Sequence, residues 1–230
     1  SGLILFATWQ MTDSFAKSKN SFPEKKSSAS PVKYNADEIV NIKIFSQNKV
    51  QSLTFSADAG IYSVWANGVE IVNTEKFPLI KFTYSNDSVE VKTFENIIGK
   101  YKRVKISSPN FVKSFRLKLI LPDRKPRFYE DNLYISTEAG DLKCVNEISL
   151  DNYIAGVVQA ESGRRSFQEF YKVQAILART FALSHLQKHV TENFNLCDHT
   201  HCQAYFGKTT ELNIMKAVTN KKGKVVVDDN

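Results

Sequence analysis

Residues 140–163 read GDLKCVNEISLDNYIAGVVQAESG, and the periodicity of the chain changes in their middle. Gly140-Asp141 is a turn signal leading into the strand-like LKCVNEI. From Ser149 onward Leu150, Tyr153, Ile154, Val157 and Val158 recur at i, i+3, i+4, i+7 and i+8, the spacing of one helical face. Ser149 or Asp151 can cap the start, and Ser162-Gly163 stops the helix. The chain therefore passes here from β structure to α structure.

Upstream, from about Ile39, every legible pattern is β. VNIKIFS, SLTFSA, IYSVWANGVEIV and LIKFTYS alternate or cluster β-branched and aromatic residues between turn signals, and FRLKLILP and DNLYIST continue the sheet. Asn67-Gly68 between YSVWA and VEIV is the strongest hairpin signal of the sequence. Downstream, Ser166-x-x-Glu169 reads as a capping box for a second helix running to about His189, apolar around most of its circumference and so expected to be largely buried. A Val run after Gly223 announces a final strand. The predicted class is α+β: a β-rich N-terminal part followed by a helical region with a metal-clasp loop. The expected domains are residues 1–34 as an apolar stub and flexible tether, 35–145 as a β-rich domain, and 146–230 as the helical region.

The first nine residues, SGLILFATW, are far short of the roughly 20 that a membrane span needs. With no starting Met and no basic leader, they read either as the tail of a signal or anchor segment or as a first buried element. The Ser-, Lys-, Asn- and Pro-rich stretch after them reads as a tether. Net charge is +7, and between residues 100 and 127 ten basic residues stand against one acid, Asp123. Such a run either faces a polyanion or lies on solvated strand faces. Nucleic acid is the weaker choice of polyanion, because no finger-like second Cys pair exists and the run lies away from the Cys/His cluster.

That cluster is CDHTHC at residues 197–202, in a chain with only 3 Cys and 4 His. A metal clasp, a Cys197–Cys202 disulfide and a Cys–His nucleophile are all compatible with it, the last least so for want of an orienting third group. Cys144 follows a strand pattern and reads as a small buried hydrophobe. Glu161 falls on the apolar stripe of the first helix, four residues after Val157. A carboxylate directed to that side, beside the negative end of the helix dipole, is poised to hold a proton near neutral pH as a general acid does. The alternative is a helix-end Glu paired with Arg164, Arg165 or Arg179.

VNEISLDNYIAGVVQAESG, YKVQAILARTFAL and FNLCDHTHCQAYFG resemble, in order and at normal spacing, three blocks of the SpoIID family (stage II sporulation protein D). The resemblance covers roughly the last hundred residues. It implies an exported lytic transglycosylase that cleaves the MurNAc–GlcNAc bond of peptidoglycan without water, the muramyl C6 hydroxyl closing a 1,6-anhydro ring, with Glu161 as catalytic acid/base. A nucleophile supplied by the substrate explains why one carboxylate suffices where ordinary glycosidases use two. It implies zinc at Cys197, His201 and Cys202, with an upstream His as fourth ligand: His189 before His199 and His185. It marks Arg179, Gln203 and Tyr205 as candidate substrate contacts, against an ion-pair role for Arg179 and core packing for Tyr205. The implied partners are glycan strands denuded of stem peptides and a wall amidase; the apolar stub and tether add an expected membrane anchor upstream, and the charge and Cys pattern an expectation of no nucleic acid. A non-catalytic wall-binding or amidase-enhancing module is the alternative. Many members carry Met-Pro where this chain has Ser162-Gly163, and the family's return strand and Ser- and Gly-rich segment lie beyond Asn230, so the sequence reads as a fragment.

Overall fold

The change of period at Ser149 is a change of element in the computed structural model, which describes residues 38–227. The apolar stub and the tether lie outside the described residues. Thirteen strands precede or flank three α-helices in the order β1 (Ile39–Ile44), β2 (Ser52–Ala59), β3 (Ser63–Ala66), β4 (Val69–Asn73), β5 (Ile80–Tyr84), β6 (Val89–Lys92), β7 (Ile97–Tyr101), β8 (Arg103–Ser107), β9 (Ser114–Leu121), β10 (Arg127–Glu130), β11 (Asn132–Glu138), β12 (Asp141–Ser149), α1 (Leu150–Ser162), α2 (Gln168–Ser184), β13 (Leu196–Cys197) and α3 (Leu212–Asn220). The class is α+β, as the alternation of periods requires.

The strands form a seven-stranded sheet in the order β13-β1-β12-β11-β8-β3-β4 and a six-stranded sheet in the order β10-β9-β2-β5-β6-β7. Strand alternation makes the core. Ile42, Val104, Ile106, Leu133 and Ile135 of the first sheet join Leu53, Phe55, Phe82, Val91, Phe115 and Leu117 of the second in one buried cluster. Asn67 and Gly68 both have positive φ, 51° and 80°, the backbone a two-residue hairpin demands. The turn from β11 to β12 is built the same way on Ala139 and Gly140.

The first sheet brings the start of the described chain beside the loop region that follows α2. β12 pairs with β1 along six residues, from Ile39↔Ser149 to Ile44↔Cys144, and β13 adds to the other edge of β1 in parallel, with Lys43 opposite Cys197. The boundary expected at residue 145 thus falls inside β12. The run of basic residues is not one stripe. It is shared between β7, β9 and β10 of the second sheet and β8 of the first. Five members meet carboxylates: Lys100 with Glu90, Lys105 with Glu147, Lys113 with Asp131, Lys118 with Asp123 and Arg127 with Asp198.

α1 starts and stops where its sequence says. Ser149 Oγ accepts from the Asn152 amide at 3.3 Å, and Gly163 at φ 70° ends the helix, its amide donating to Gln159 O. α2 departs from expectation in three ways. Phe167, not Ser166, sits at its N-cap, and phenylalanine has no oxygen to cap with; the Ser166 amide donates to Tyr171 Oη at 3.0 Å. It ends at Ser184, and the chain continues in turns to His189. It is also only half sunk: Tyr171, Ala175, Ala178, Arg179 and Ala182 are buried, whereas Phe167, Phe170, Val173 and Leu177 are exposed. The final Val run makes no strand among the described residues; the Val226 amide donates to Thr180 Oγ1.

Candidate functional site: a carboxylate cleft beside a Cys/His clasp

The segment after β13 is anchored by an aspartate that periodicity could not single out. Asp198 is buried, and its carboxylate accepts from the Phe45 amide at 2.7 Å, the Ser46 amide at 3.0 Å, the Ser46 hydroxyl, and Arg127 Nη1 at 3.2 Å. Charge-assisted bonds of this kind pin the loop to the β1–β2 connection. With Asp198 fixed, the loop folds back on itself: the Cys202 amide donates to His199 O at 2.9 Å, and the Tyr205 amide to Asp198 O at 3.2 Å.

Four potential ligand atoms then converge. One atom each of His189, Cys197, His201 and Cys202 lies within 4.8 Å of the others. His189 Nε2 is 3.6 Å from Cys202 Sγ, and His201 Nδ1 is 3.6 Å from Cys197 Sγ and 3.8 Å from Cys202 Sγ. All three cysteines are free thiols, so there is no Cys197–Cys202 disulfide. His199 is turned away, its Nδ1 accepting from the His201 amide, and His185 is stacked on Phe181 with Nδ1 against Phe181 O. Burial and the Cys202 thiol beside it push the Cys197 thiol up to about 11.

Donor chemistry fits a divalent cation: two thiols and two imidazole nitrogens at tetrahedral-site spacing. The other ring nitrogen of His189, Nδ1, is held by Glu192 Oε1 at 2.6 Å, and the ring stacks on Phe194 at 4.7 Å. A carboxylate behind a ligating imidazole fixes its tautomer and direction. Glu192 was not legible as part of this site; its only sequence signal is a position three residues after His189. The early end of α2 matters here, since the turns after Ser184 bring His189 round to face the loop.

Glu161 stands in the last turn of α1, at the rim of a cleft of about 310 Å³ also lined by Gln174, Leu177, Ala178, Phe181, Cys202 and Gln203. Its residue surface is exposed, so the carboxylate faces an open cleft rather than the core side expected from its stripe. The last turn runs past the end of the packed face, whose buried residues stop at Val158. Partial desolvation raises the Glu161 pKa above the usual carboxylate value, opposed by the Ala204 amide, which donates to Oε1 at 3.3 Å. Arg164 pairs with Glu211, and Arg179 with Asp151, so neither cation serves Glu161.

The remaining candidates separate. Gln203 shares the cleft with Glu161, fixed by Nε2 to Ala178 O and by Oε1 from Tyr153 Oη. Arg179 is wholly buried: Nη2 donates to Asp151 Oδ1 at 2.8 Å, and Nη1 to Lys221 O at 2.7 Å and Lys224 O at 3.3 Å. It ties α1, α2 and the end of α3 together and presents nothing to a substrate. Tyr205 is equally buried, its ring against Tyr129 and Tyr153 and its hydroxyl donating to Asn146 Oδ1 at 3.1 Å. Its place depends on Gly156, where an added Cβ would come within 2.5 Å of both the Tyr205 ring and Gly207 O. A side chain there would push the loop off α1 and carry Ala204 away from Glu161.

The geometry defines an α+β protein with one exposed, proton-affine carboxylate in a cleft and a four-donor clasp behind its wall. Residues 138–227, from the end of β11 through both features, match the model of the SpoIID family (Stage II sporulation protein). That family is associated with the cell envelope and with peptidoglycan lytic transglycosylase-like function. No curated protein and no solved structure matches the chain. No helix of the described residues is long and apolar enough to cross a membrane.

Proposed function

We propose that this protein is an exported lytic transglycosylase acting on peptidoglycan glycan strands at the cell envelope. The observation that carries the reading is the setting of Glu161: an open cleft, a desolvated carboxylate without a cationic partner among the described residues, and a backbone amide holding one oxygen. A carboxyl group of raised pKa can give its proton to the GlcNAc O4 as the bond from muramyl C1 breaks. The resulting carboxylate then takes the proton of the muramyl C6 hydroxyl while O6 bonds to C1. The proton count closes with Glu161 protonated again, and no water is consumed. Gln203 and the Ala204 amide hold this corner of the cleft; Leu177 and Phe181 give it an apolar wall that excludes water from one side.

The clasp fits zinc, held by His189, Cys197, His201 and Cys202, and zinc would act there as a structural clamp. Holding the 197–203 loop to the end of α2 fixes Gln203 and the Ala204 amide against Glu161. The substrate class is glycan denuded of stem peptides, which leaves the lactyl carboxylates free, and a wall amidase is the activity that produces it.

Mass analysis of products from purified glycan strands tests the proposal in the full-length protein. Wild type is expected to leave 1,6-anhydro ends, and Glu161→Gln to leave none while still binding strands. Anhydro ends from Glu161→Gln at wild-type yield would refute the acid/base role. A wild-type protein that binds strands and never cuts them would be a wall-binding module instead.

A further inference from the structure

The outer face of the first sheet carries a second concavity, of about 430 Å³, away from the residues of the Glu161 cleft. Strand register sets its floor. Ser136 on β11 stands directly opposite Arg103 on β8 and directly opposite Lys143 on β12. Directly opposed residues project from the same face of a sheet, and strands lie about 4.8 Å apart, so Arg103 and Lys143 rise roughly 10 Å apart with a hydroxyl between them.

Charge on this face does not balance. Lys143 is nearly buried, and its ammonium meets Glu138 Oε1 at 2.6 Å and the Glu192 carbonyl, while Lys43 draws on the same Glu138 carboxylate. One carboxylate therefore serves two ammonium groups. Glu147, which also lines the concavity, is offset by one cation: the Lys105 ammonium lies 3.6 Å away, while Asn132 at 2.7 Å and Tyr134 Oη at 3.0 Å donate to the carboxylate without changing its charge. Arg103 has no carboxylate partner among the described residues; its guanidinium carbon lies over the Tyr134 ring, 4.2 Å from the centroid. A cation–π contact of this kind holds the group in place without using up its N–H donors. Each end of the concavity keeps an unbalanced positive charge.

Beyond Lys105 on the same row stands Trp65, directly opposite it on β3 and 38% exposed. An accessible indole on a flat polar face offers an apolar platform with a polar tip, which suits the face of a pyranose ring. Asn41 and Asn193 add amides at the other side of the concavity. We infer that the outer face of the first sheet is a second binding site, for a carboxylate-bearing polysaccharide, with the carboxylate received between Arg103 and Lys143 above Ser136 and a neighbouring sugar stacked on Trp65. The site would hold a strand on the protein independently of the cleft that cuts it.

Equilibrium binding to peptide-free glycan strands with free lactyl carboxylates, and to the same strands after amidation of those carboxylates, tests the inference. Arg103 is exposed, so Arg103→Gln keeps the fold, checked by circular dichroism and an unchanged melting temperature. At low salt it should weaken binding to the acidic strands about tenfold, the scale of one charge-assisted contact. Amidation should weaken wild type at least as much, and should weaken Arg103→Gln by a smaller factor, because only Lys143 still meets the carboxylate there. Trp65→Ser should weaken binding to both kinds of strand. Wild-type affinity in Arg103→Gln, or equal affinity of wild type for amidated strands, would overturn the site. Competition by free acidic stem peptide as effective as that by glycan would reassign it to a peptide. Cleavage of short oligosaccharides reports on Glu161 alone, so loss of the outer-face site and loss of the catalytic reading are separately visible.

Discussion

Replacing Arg179 with Met keeps much of the side-chain volume and removes the guanidinium that closes the helical layer. What is lost can be counted from its bonds. The Asp151 contact at 2.8 Å is charge-assisted, and the carbonyls of Lys221 and Lys224 accept at 2.7 and 3.3 Å. A hydrogen bond to a charged group contributes about 1.5–3 kcal/mol net. Breaking a buried pair by removing one partner costs about 3–5 kcal/mol, because the other charge is left without compensation. The Asp151 side chain retains 22% exposure and can recover water, which places the loss toward the lower end, near 3 kcal/mol. For a protein of this size each kcal/mol lowers Tm by about 2–4 °C, so Arg179→Met should melt roughly 6–12 °C below wild type. Asp151→Asn keeps an oxygen acceptor for Nη2 and should lose less. In the double variant the two losses should add to less than their sum, because one contact is removed only once. Thermal and urea unfolding measure these values, with glycan binding at a temperature where each variant is fully folded. A wild-type melting temperature together with lost binding would refute the structural reading and restore Arg179 as a substrate contact.

Chelation, or Cys202→Ser, is expected to lower Tm and metal content together, with elemental analysis giving about one zinc per chain in the untreated protein; metal-free protein with unchanged stability would remove the clamp. Glu192→Gln should leave the ligand set intact and weaken zinc affinity by about 10–100-fold, read by chelator competition. The Glu161 pKa is raised, so its proton donor is present at low pH and lost as pH climbs through the raised value; the rate limb that depends on the acid should fall over that window and be missing in Glu161→Gln. The same sign applies to stability: the folded state binds this proton more tightly than the unfolded chain does, so the ionised carboxylate opposes folding. Glu161→Gln should then be at least as stable as wild type at neutral pH, measured by urea unfolding, whereas an acid kept for structure would lose stability. Tyr205→Phe leaves Asn146 Oδ1 without its partner and should cost about 1–3 kcal/mol with glycan affinity unchanged.

Elements whose pattern is written on one face were legible. The Asn67-Gly68 hairpin, the start and stop of α1, and the strands at VNIKIFS, SLTFSA and FRLKLILP all follow from local period and turn chemistry. β6, β7, β8 and β10 do not stand out as strands in the sequence, because they are only four or five residues long and Lys, Arg or Glu interrupts the apolar pattern in each. α2 was legible as a helix but not in its burial. Its apolar residues wrap the cylinder, and period alone does not tell which part of a broad apolar face meets a partner. The packed line proved to be Tyr171, Ala175, Ala178 and Ala182, and its three alanines let α1 and α3 approach.

The convergence of His189 with CDHTHC came from a family pattern, and the reason it holds is tertiary. Nothing local brings residue 189 to residue 202. α2 stops at Ser184, Lys188 Nζ donates to the His201 carbonyl, and Lys143 on β12 holds the Glu192 carbonyl while Glu192 holds His189. On the other side Asp198 fastens the loop to the first sheet beside β1, and β13 is itself a strand of that sheet. The clasp is therefore suspended from the sheet at both ends, and its loop hands directly to Gln203 and the Ala204 amide at the cleft. Glu161 comes to the same corner by a separate route, through β12 and the short, well-capped α1. Two independent paths from one sheet to one corner give the carboxylate a fixed relation to its neighbours that neither helix could supply alone. The carboxylate can then stay open to the cleft and still be desolvated enough for its pKa to rise.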